Sequence, residues 1–476
     1  MYSRRGSATQ TILARKNSGT LPQYGGRLHL KSLPPIHRIP AEILCDIFMK
    51  TQEDSVNWVV IPAGTYIPPL TRGTTNPVVL SHVSSRWRAI ALNLSALWST
   101  IEVSRATLKE VHRVTTFLHR AKDHPLTASF RTSRPKRGES IDFEVDSLLL
   151  KALLSRTSTW CCINFYILHQ YLPLLVEMLS RAELPRILRS VHFGAQRNPP
   201  HDSAQVQRHL DQIWTFLYNS PSLQHVSWDQ ECDFVIPMQA PLQQLQLIGM
   251  KSDVGIGNLI QALPHCQNLH SLDLFSVDTS PLIDDPPTEI LLPKLQSIII
   301  GTRTAVDPVF RILDCPSLSS VVIQSRSMQA PCTIRTLLDF FARSRCFLQL
   351  LSFDSEQDDE DILSLILAPE MKHVNSLKLE LPYLPDSVLS MLQTLNRDGS
   401  QAFMPNLRLL ELRACGQADG LWSSLLLSRW FTDLQNPSIS TRGSLQSFQL
   451  SGSNLLGTID AAFMEQNGHV IGITCM

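Results

Sequence analysis

The fold is decided by two segments near the N-terminus, LPPIHRIPAEILCDIFMK (33–50) and NPVVLSHVSSRWRAIALNLSALWSTIEV (76–103). In the first segment, Pro40 occupies a first-turn position of a helix, where its missing N–H costs nothing. Ile47 and Phe48 follow Ile43 and Leu44 at a spacing of four residues. This spacing predicts one apolar helix face.

The second segment predicts another apolar helix face. Asn76 and Pro77 make an N-cap and first-turn pair. Apolar residues then follow at spacings of three, four and three, which place them on one side of a helix: Leu80, Val83, Trp87 and Ile90. A Leu-Trp pair at 97–98 closes the segment.

Together these residues resemble the F-box, a small three-helix family module, in the form of fungal (basidiomycete-type) F-box proteins. The matching positions are Ile39–Leu44, Ile47-Phe48, Leu80–Ala91 and Leu97-Trp98. The sequence departs from the family pattern at Ile39, where Leu is usual, and at Ser84, where Cys is frequent. It also carries an insert between Met49 and Thr75, whose prolines and glycines predict an exposed loop.

The resemblance implies that the module binds a Skp-family adaptor. Its apolar positions are expected to divide between the core of the module and the adaptor groove. The implied adaptor-binding residues are Ile39, Pro40, Ile43, Leu44, Ile47, Phe48, Leu80, Val83, Trp87, Ile90 and Trp98. The alternative is an ordinary helical hairpin that caps a larger domain.

Downstream, the pattern L-x-x-L-x-L recurs eleven times with hydrophobic substitutions, and its periodicity is the main fold signal. The matches are Trp160/Ile163/Phe165, Leu188/Val191/Phe193, Leu223/Val226/Trp228, Leu242/Leu245/Leu247, Leu269/Leu272/Leu274, Leu295/Ile298/Ile300, Leu318/Val321/Ile323, Leu348/Leu351/Phe353, Val374/Leu377/Leu379, Leu407/Leu410/Leu412 and Leu445/Phe448/Leu450.

Helical patterns lie between these predicted strands, over 204–218, 333–344, 385–396 and 420–434. A unit of one strand and one helix cannot bury its own apolar face, whereas stacked units can. The pattern resembles an irregular leucine-rich-repeat array, which implies a solenoid with a curved parallel sheet. The Asn or Cys that usually follows the last Leu by three residues is matched only at Cys415. A different α/β fold is the alternative.

The sequence therefore predicts an α/β protein with three parts. Residues 1–32 contain no Asp or Glu and form a basic tail, expected to be disordered rather than a transit peptide. Residues 33–103 form the F-box-like domain with the inserted loop 49–75, and residues 104–476 form the repeat domain. An N-terminal helix pattern over 108–118 and a strand over 126–130 open that last part.

Composition argues against several function classes. The chain has 42 Lys and Arg and 42 Asp and Glu, so its net charge is zero. Net charge therefore does not indicate electrostatic attraction to nucleic acid or to a membrane. The ten cysteines show no regular spacing and are expected to be free thiols in a reducing compartment. Adjacent Cys161 and Cys162 are not expected to form a disulfide with each other. No apolar run approaches the length of a membrane span.

Catalytic and metal-binding motifs are not evident. His265, Cys266 and His270 lie close in sequence, but a metal site needs more converging ligands. The acidic run from Asp354 to Asp361 lacks the spacing of a calcium loop and is explained by the start of a helix at Ile362. We therefore expect no cofactor, no metal and no enzymatic activity.

The F-box resemblance combined with repeats implies the substrate-recognition subunit of a Skp–cullin–F-box ubiquitin ligase. The expected partners are a Skp-family adaptor with its cullin complex and an unknown target protein, in the cytoplasm with nuclear entry left open. Arg131, Arg134, Lys136 and Arg137 could serve as an import signal or be a solvated turn. The rival functions are a leucine-rich scaffold without ubiquitin transfer and an enzyme with an unrecognised site.

Strand alternation predicts where a target would bind. The residues between and after the core-facing positions should line the opposite face of the sheet. Most of them are polar, but five apolar residues would form a patch there: Ile248, Phe275, Ile299, Val322 and Leu350. A covering loop or the C-terminal tail is the alternative explanation of this patch.

Overall fold

The structure is a computed structural model of the 476-residue chain. It describes residues 35–53, 77–103, 105–132, 143–196, 203–230, 236–278, 289–302, 305–325, 332–354, 359–383, 386–393, 403–415, 419–430, 445–451, 458–471 and 474–475.

The N-terminal region is helical. Its helices are α1 (Pro35–Arg38), α2 (Ala41–Glu53), α3 (Pro77–Val83) and α4 (Ser85–Asn93), and a 3₁₀ helix (Ser95–Trp98) follows. The predicted loop 49–75 begins too early, because α2 continues to Glu53. The rest of the proposed insert lies outside the described residues.

The predicted single helix face from Leu80 to Ile90 is wrong, because it lies on two helices. Ser84 between α3 and α4 has an extended backbone (φ −157°, ψ 166°), and its hydroxyl accepts the N–H of Trp87 at 3.1 Å. Ser84 is thus the N-cap of α4. A serine at such a position stabilises a helix start by occupying an otherwise unpaired N–H.

The remaining helices alternate with strands along the chain. They are α5 (Leu108–Ala121), α6 (Phe143–Leu154), α7 (Leu172–Leu179), α8 (Ser203–Tyr218), α9 (Ile256–Ala262), α10 (Asp307–Ile312), α11 (Ile334–Ser344), α12 (Asp359–Leu367), α13 (Asp386–Gln393), α14 (Leu421–Trp430) and α15 (Thr458–Ile471). The helical patterns read from the sequence each correspond to one of these helices, with ends that differ by a few residues.

The strands are β1 (Thr100–Val103), β2 (Leu126–Arg131), β3 (Trp160–Leu168), β4 (Ser190–Gln196), β5 (His225–Gln230), β6 (Leu247–Gly255), β7 (Ser271–Asp278), β8 (Ile290–Leu291), β9 (Ser297–Thr302), β10 (Leu313–Asp314), β11 (Ser320–Ser325), β12 (Leu350–Asp354), β13 (Ser376–Tyr383), β14 (Leu409–Cys415), β15 (Ser447–Ser451) and β16 (Thr474–Cys475). The short strands β8 and β10 pair only with each other.

All other strands form one 14-stranded parallel sheet whose strand order follows the chain order, from β1 to β16. The mixed α/β architecture with a large parallel sheet is therefore confirmed. The sheet starts at Thr100, within the range predicted for the first domain, so the N-terminal helices lead directly into it.

A backbone motif repeats at the N-terminal ends of the strands. The carbonyl of the residue just before a strand accepts two consecutive N–H groups from the start of the next strand. Gln246, for example, accepts from His270 at 2.7 Å and from Ser271 at 3.0 Å, and the same arrangement recurs from β4 to β15. Because these bonds fix each strand relative to its predecessor, they set a common register.

That register aligns one apolar residue of each strand up to β15 into a continuous buried row. Its members are Ile101, Ala128, Ile163, Val191, Val226, Ile248, Leu272, Ile298, Val321, Leu351, Leu377, Leu410 and Phe448. Helices pack on this side. Trp214 of α8 lies 5.8 Å from Phe193 and 5.7 Å from Trp228 between ring centroids. Burying this much apolar surface is the main stabilising contribution to the fold.

The predicted triplet Leu242/Leu245/Leu247 is displaced by three residues. Ile248 pairs with Val226 and Leu272, so the true triplet is Leu245/Ile248/Met250. The sequence fits both triplets, because apolar residues occur at the same spacing in each. In the structure the triplet begins at Leu245, and Leu242 begins a 3₁₀ turn. Ten of the eleven predicted triplets have the correct register.

No helix in the described part of the chain is long and apolar enough to cross a membrane.

Candidate interaction surfaces

The N-terminal helices build their own small core. It contains Leu44, Phe48, Leu80, Ala91, Leu97 and Trp98, all buried. The rings of Phe48 and Trp87 lie 4.8 Å apart. The indole N–H of Trp98 donates to the Ala91 carbonyl at 2.7 Å, which satisfies the polar atom of this buried ring.

Trp98 also joins these helices to the body of the protein. Its ring makes an edge contact with Phe117 of α5 at 5.0 Å, and the Arg120 guanidinium lies over it at 4.2 Å. The helices before β1 therefore share one hydrophobic core with the sheet. Their position relative to β1 is fixed by packing.

Two arginines hold α4 in place. Arg86 donates to the Ile39 carbonyl at 2.6 Å, just before α2, and Arg88 donates to the Ser81 carbonyl at 3.0 Å in α3. Hydrogen bonds from a charged donor to backbone carbonyls are among the stronger ones in proteins. They fix how α2 and α3 present their outer faces.

The outer sides of α1, α2 and α3 expose large apolar side chains. The exposed fractions are 44% for Ile36, 49% for Ile43, 40% for Ile47, 58% for Val79 and 56% for Val83. We call these five residues the N-terminal apolar surface. Ile43 and Ile47 are neighbours on α2, and Val79 and Val83 are neighbours on α3, since residues four apart share a helix face.

The residues predicted to bind the adaptor fall into three groups. Leu44, Phe48, Leu80 and Trp98 are buried in the core, Ile39, Trp87 and Ile90 are partly buried, and Pro40, Ile43, Ile47 and Val83 are exposed. Sequence reasoning missed Ile36 and Val79 as exposed apolar residues. Val79 could have been found, because it lies four residues before Val83.

The second candidate surface is the side of the sheet opposite the helix-packed apolar row. We call it the polar face and define it by one aligned position from each strand of the sheet up to β15: Glu102, Ser129, Asn164, His192, Ser227, Gly249, Asp273, Ile299, Val322, Ser352, Lys378, Glu411 and Gln449.

Towards its C-terminal end, the polar face carries an ion-pair cluster. The Lys378 ammonium lies 2.9 Å from the Glu380 carboxylate and 2.8 Å from that of Glu411 on the next strand. Burial lowers the pKa of Lys378, but the bonds to Glu411 and Glu380 outweigh it, so the pKa is raised overall. Lys378 therefore stays charged and locks β13 to β14 on this face.

Towards its N-terminal end, the polar face holds titratable groups that are largely shielded from water. Burial, helped by the charges of Lys251 and Arg131, lowers the pKa of His192 to about 3. The imidazole is therefore neutral at physiological pH, and its 3.9 Å approach to Asp229 is not an ion pair. Burial raises the pKa of Asp273 to about 7, against the opposing effect of Lys251.

Four of the five predicted target-binding residues lie on this side of the sheet. Phe275, Ile299, Val322 and Leu350 belong to the neighbouring strands β7, β9, β11 and β12. Ile299 pairs directly with Val322, but only 2% of Ile299 is exposed. The other three are partly buried.

The placement of Ile248 on this face is wrong. It is 1% exposed and belongs to the helix-covered row, because of the three-residue displacement described above. Its neighbour on the polar face is Gly249. The patch is consequently smaller than predicted, and it is centred on Val322 and Leu350 rather than on Ile299.

No group of His, Cys, Asp or Glu in the described residues has the arrangement of a metal site. Cys266 is buried and donates to the Ala262 carbonyl at 3.3 Å, and His270 bonds the Asn268 carbonyl at 2.7 Å. The helix α12 begins at Asp359, three residues before the predicted start at Ile362, so the acidic residues at 359–361 lie in its first turn.

No known family model matches the chain, and no curated protein is significantly similar to it.

Proposed function

We propose that this protein is the substrate-recognition subunit of a Skp–cullin–F-box ubiquitin ligase. In this proposal the helices up to Trp98 form an F-box module that binds a Skp-family adaptor. The sheet and its helices form an irregular leucine-rich-repeat solenoid that binds the target protein. The protein would bring its target to the ligase and would carry out no bond chemistry itself.

The observation that carries the proposal is the N-terminal apolar surface. Side chains such as Ile43 and Val83 remain about half exposed although their neighbours form a fully buried core. Exposed large apolar side chains that recur on the same helix faces are characteristic of an interaction site. Three of its five residues, Ile43, Ile47 and Val83, are also among those through which the F-box resemblance implies adaptor binding.

The repeat interpretation is supported by the register of the sheet. Stacked strand–helix units require parallel strands in chain order, and from β4 to β15 these strands are linked by the same motif, in which one carbonyl accepts two N–H groups. Neighbouring strands of such an array present one residue each to a common face. A target could then be bound across several strands by that face.

On the polar face we assign the target-binding centre to Val322 and Leu350. They are partly buried, and strands about 4.8 Å apart would place contacts on four strands within roughly 14 Å. The cluster of Lys378, Glu380 and Glu411 lies on the next two strands and would form a charged rim.

The test is co-purification. The tagged full chain is isolated from cells, and adaptor, cullin and ubiquitin-conjugation activity are measured on the isolated complex. A ligase subunit brings down adaptor and cullin together and supports ubiquitin transfer onto a co-purified protein. Adaptor without cullin or transfer would replace the proposal by the scaffold function, and absence of the adaptor would refute the ligase function.

A further inference from the structure

Cys161 and Cys162 are adjacent in β3, and adjacent residues of a regular strand point to opposite faces. Here the strand is irregular. Leu126 of β2 pairs with Trp160, but the next residue, Thr127, pairs with Cys162. Cys161 is therefore the extra residue of a β-bulge.

The bulge brings the two thiols together. The Sγ atoms lie 4.0 Å apart, with the Cys162 thiol directed at the Cys161 sulfur. Both side chains are partly exposed, whereas Cys266, Cys315, Cys332 and Cys346 are buried. A solvent-accessible pair at this distance is a chemical arrangement that the buried cysteines do not share.

The surroundings favour a thiolate on Cys161. The hydrogen bond from Cys162 and the positive charge of Arg189 lower the pKa of Cys161 to about 6, although burial opposes the shift. The same hydrogen bond, together with burial, raises the pKa of Cys162. Arg189 is anchored beside the pair, because its backbone N–H donates to the Cys161 carbonyl at 2.8 Å.

We propose that Cys161 and Cys162 form a reversible, peroxide-sensitive dithiol, in which Cys161 is the reacting and Cys162 the resolving thiol. The Cys161 thiolate attacks hydrogen peroxide, forming an S–O bond as the O–O bond breaks, and the departing hydroxide takes up a proton to become water. The Cys162 sulfur then attacks the Cys161 sulfur. An S–S bond forms, the S–O bond breaks, and a second water leaves with the Cys162 proton. Two electrons pass from the thiols to the peroxide.

The product would be easily reduced. Adjacent Cα atoms are only about 3.8 Å apart across a trans peptide, whereas disulfide-bonded residues usually have Cα atoms about 4.4–6.8 Å apart. A bridge between neighbours is therefore strained, and strained disulfides are the labile, regulatory kind. The backbone of the strand can best adjust to this disulfide at the extra residue of the bulge.

Peroxide treatment of the purified full chain tests the proposal. The tryptic peptide 157–181 should lose the mass of two hydrogens and regain it on reduction with a thiol. In Cys162→Ser, Cys161 should stop at the sulfenic acid, which dimedone traps. Oxidation of the wild-type peptide to sulfinic acid without the two-hydrogen loss would overturn the proposal, as would no reaction at all.

Alkylation rates give a test that needs no variant. At pH 7 the thiolate fraction of Cys161 should exceed that of an ordinary thiol about 30-fold. Its weaker intrinsic nucleophilicity offsets roughly 13-fold of this, which leaves a net advantage of about twofold. Cys45 serves as the internal reference, because it is partly exposed and burial, with Asp46 and Glu42, raises its pKa.

The iodoacetamide rate of Cys161 should level off above pH 7, whereas that of Cys45 should keep rising. Arg189→Gln, a change at an exposed side chain, should move the Cys161 profile towards higher pH. A Cys161 rate at pH 7 no higher than that of Cys45, with parallel pH profiles, would contradict the assignment of Cys161 as the reacting thiol.

Discussion

Arg429 is a charged side chain inside the protein, with 1% of its surface exposed. Its guanidinium donates to the backbone carbonyls of Leu392 at 2.7 Å, Met404 at 3.1 Å and Phe403 at 2.7 Å. Burial lowers its pKa to about 10, so it remains protonated at neutral pH. One side chain thus satisfies the carbonyls at the end of α13 and in the connection to β14.

We expect Arg429→Met to destabilise this part of the molecule by about 2–4 kcal/mol. The methionine fills much of the space, but several buried carbonyls lose their donor. Hydrogen exchange of the α13 and α14 amides measures the local free energy of opening. The control is Arg181→Met, at a 77% exposed side chain paired with Glu177, which should change stability by less than about 0.5 kcal/mol. Equal effects of the two variants would contradict the structural role of Arg429.

His192 and Asp273 give stability opposite dependences on pH. The folded pKa of His192 is depressed, so its contribution is complete above the unfolded value of 6.5 and is lost as pH falls towards 3. The folded pKa of Asp273 is raised, so the unfolded chain releases this proton first and stability falls as pH rises from about 4 to 7.

Asp273→Asn should therefore stabilise the protein at pH 8 by on the order of 1–3 kcal/mol, and the gain should vanish near pH 4. Urea denaturation across this pH range measures the effect. Asp253→Asn, at an exposed carboxylate on the neighbouring strand, is the matched control and should show no such trend. A pH-independent difference between Asp273→Asn and wild type would show that Asp273 is not buried as described.

At the residue scale, the sequence predicts which side chains are core but not always their register. Phe48 and Leu80 could be assigned to an apolar helix face from spacing alone. Ile248 could not, because Leu242 and Leu245 mimic the repeat three residues early. Only the pairing of Ile248 with Val226 and Leu272 decides between the two readings, and this pairing is a long-range contact.

The helix break between α3 and α4 belongs to the scale of the element. The apolar spacing from Leu80 to Ile90 fits one helix, but Ser84 ends it by capping the next. Two serines in a row are a recognisable cap signal, since a serine side chain competes with helical backbone bonds. The sequence contains this cap signal, but a prediction from apolar periodicity alone still gives one continuous helix.

Ser84→Ala should destabilise α4 by about 1 kcal/mol, because the Trp87 N–H loses its acceptor. Thermal unfolding monitored by tryptophan fluorescence measures the effect, since Trp87 and Trp98 lie at this site. Ser85→Ala, an exposed change in the first turn of the same helix, should be within about 0.5 kcal/mol of wild type. A larger loss for Ser85→Ala than for Ser84→Ala would contradict the cap.

At the scale of the whole molecule, the chain-order parallel sheet was predictable because each unit repeats the same spacing of core residues. How strongly residues of the polar face are shielded from water was not predictable. Ile299 and Asp273 are neighbours on this face and are both shielded from water, although alternation predicts an exposed position for each. That shielding depends on how distant side chains meet, which local patterns do not encode.

Target recognition is also a property of the whole molecule. We expect Val322→Asp and Leu350→Asp each to weaken target capture at least tenfold while leaving adaptor binding unchanged. An introduced charge would be desolvated in the contact. Ile299→Asp is unsuitable, because it would bury a charge in the free protein. Thr115→Asp, at an exposed position of α5, is the control. Unchanged capture by both Val322→Asp and Leu350→Asp would remove the polar face as the target site.

The most direct test of the central claim is a calorimetric titration of a purified Skp-family adaptor into the purified full chain. We expect the wild type to bind with a Kd below about 1 μM, as a stable interface requires. Ile47→Asp and Val83→Asp should each weaken binding at least tenfold, because they charge the N-terminal apolar surface. Leu108→Asp, at a 70% exposed apolar residue of α5 beyond that surface, should bind as the wild type does. No adaptor binding by the wild type, or unchanged binding by both Ile47→Asp and Val83→Asp, would contradict the proposed function.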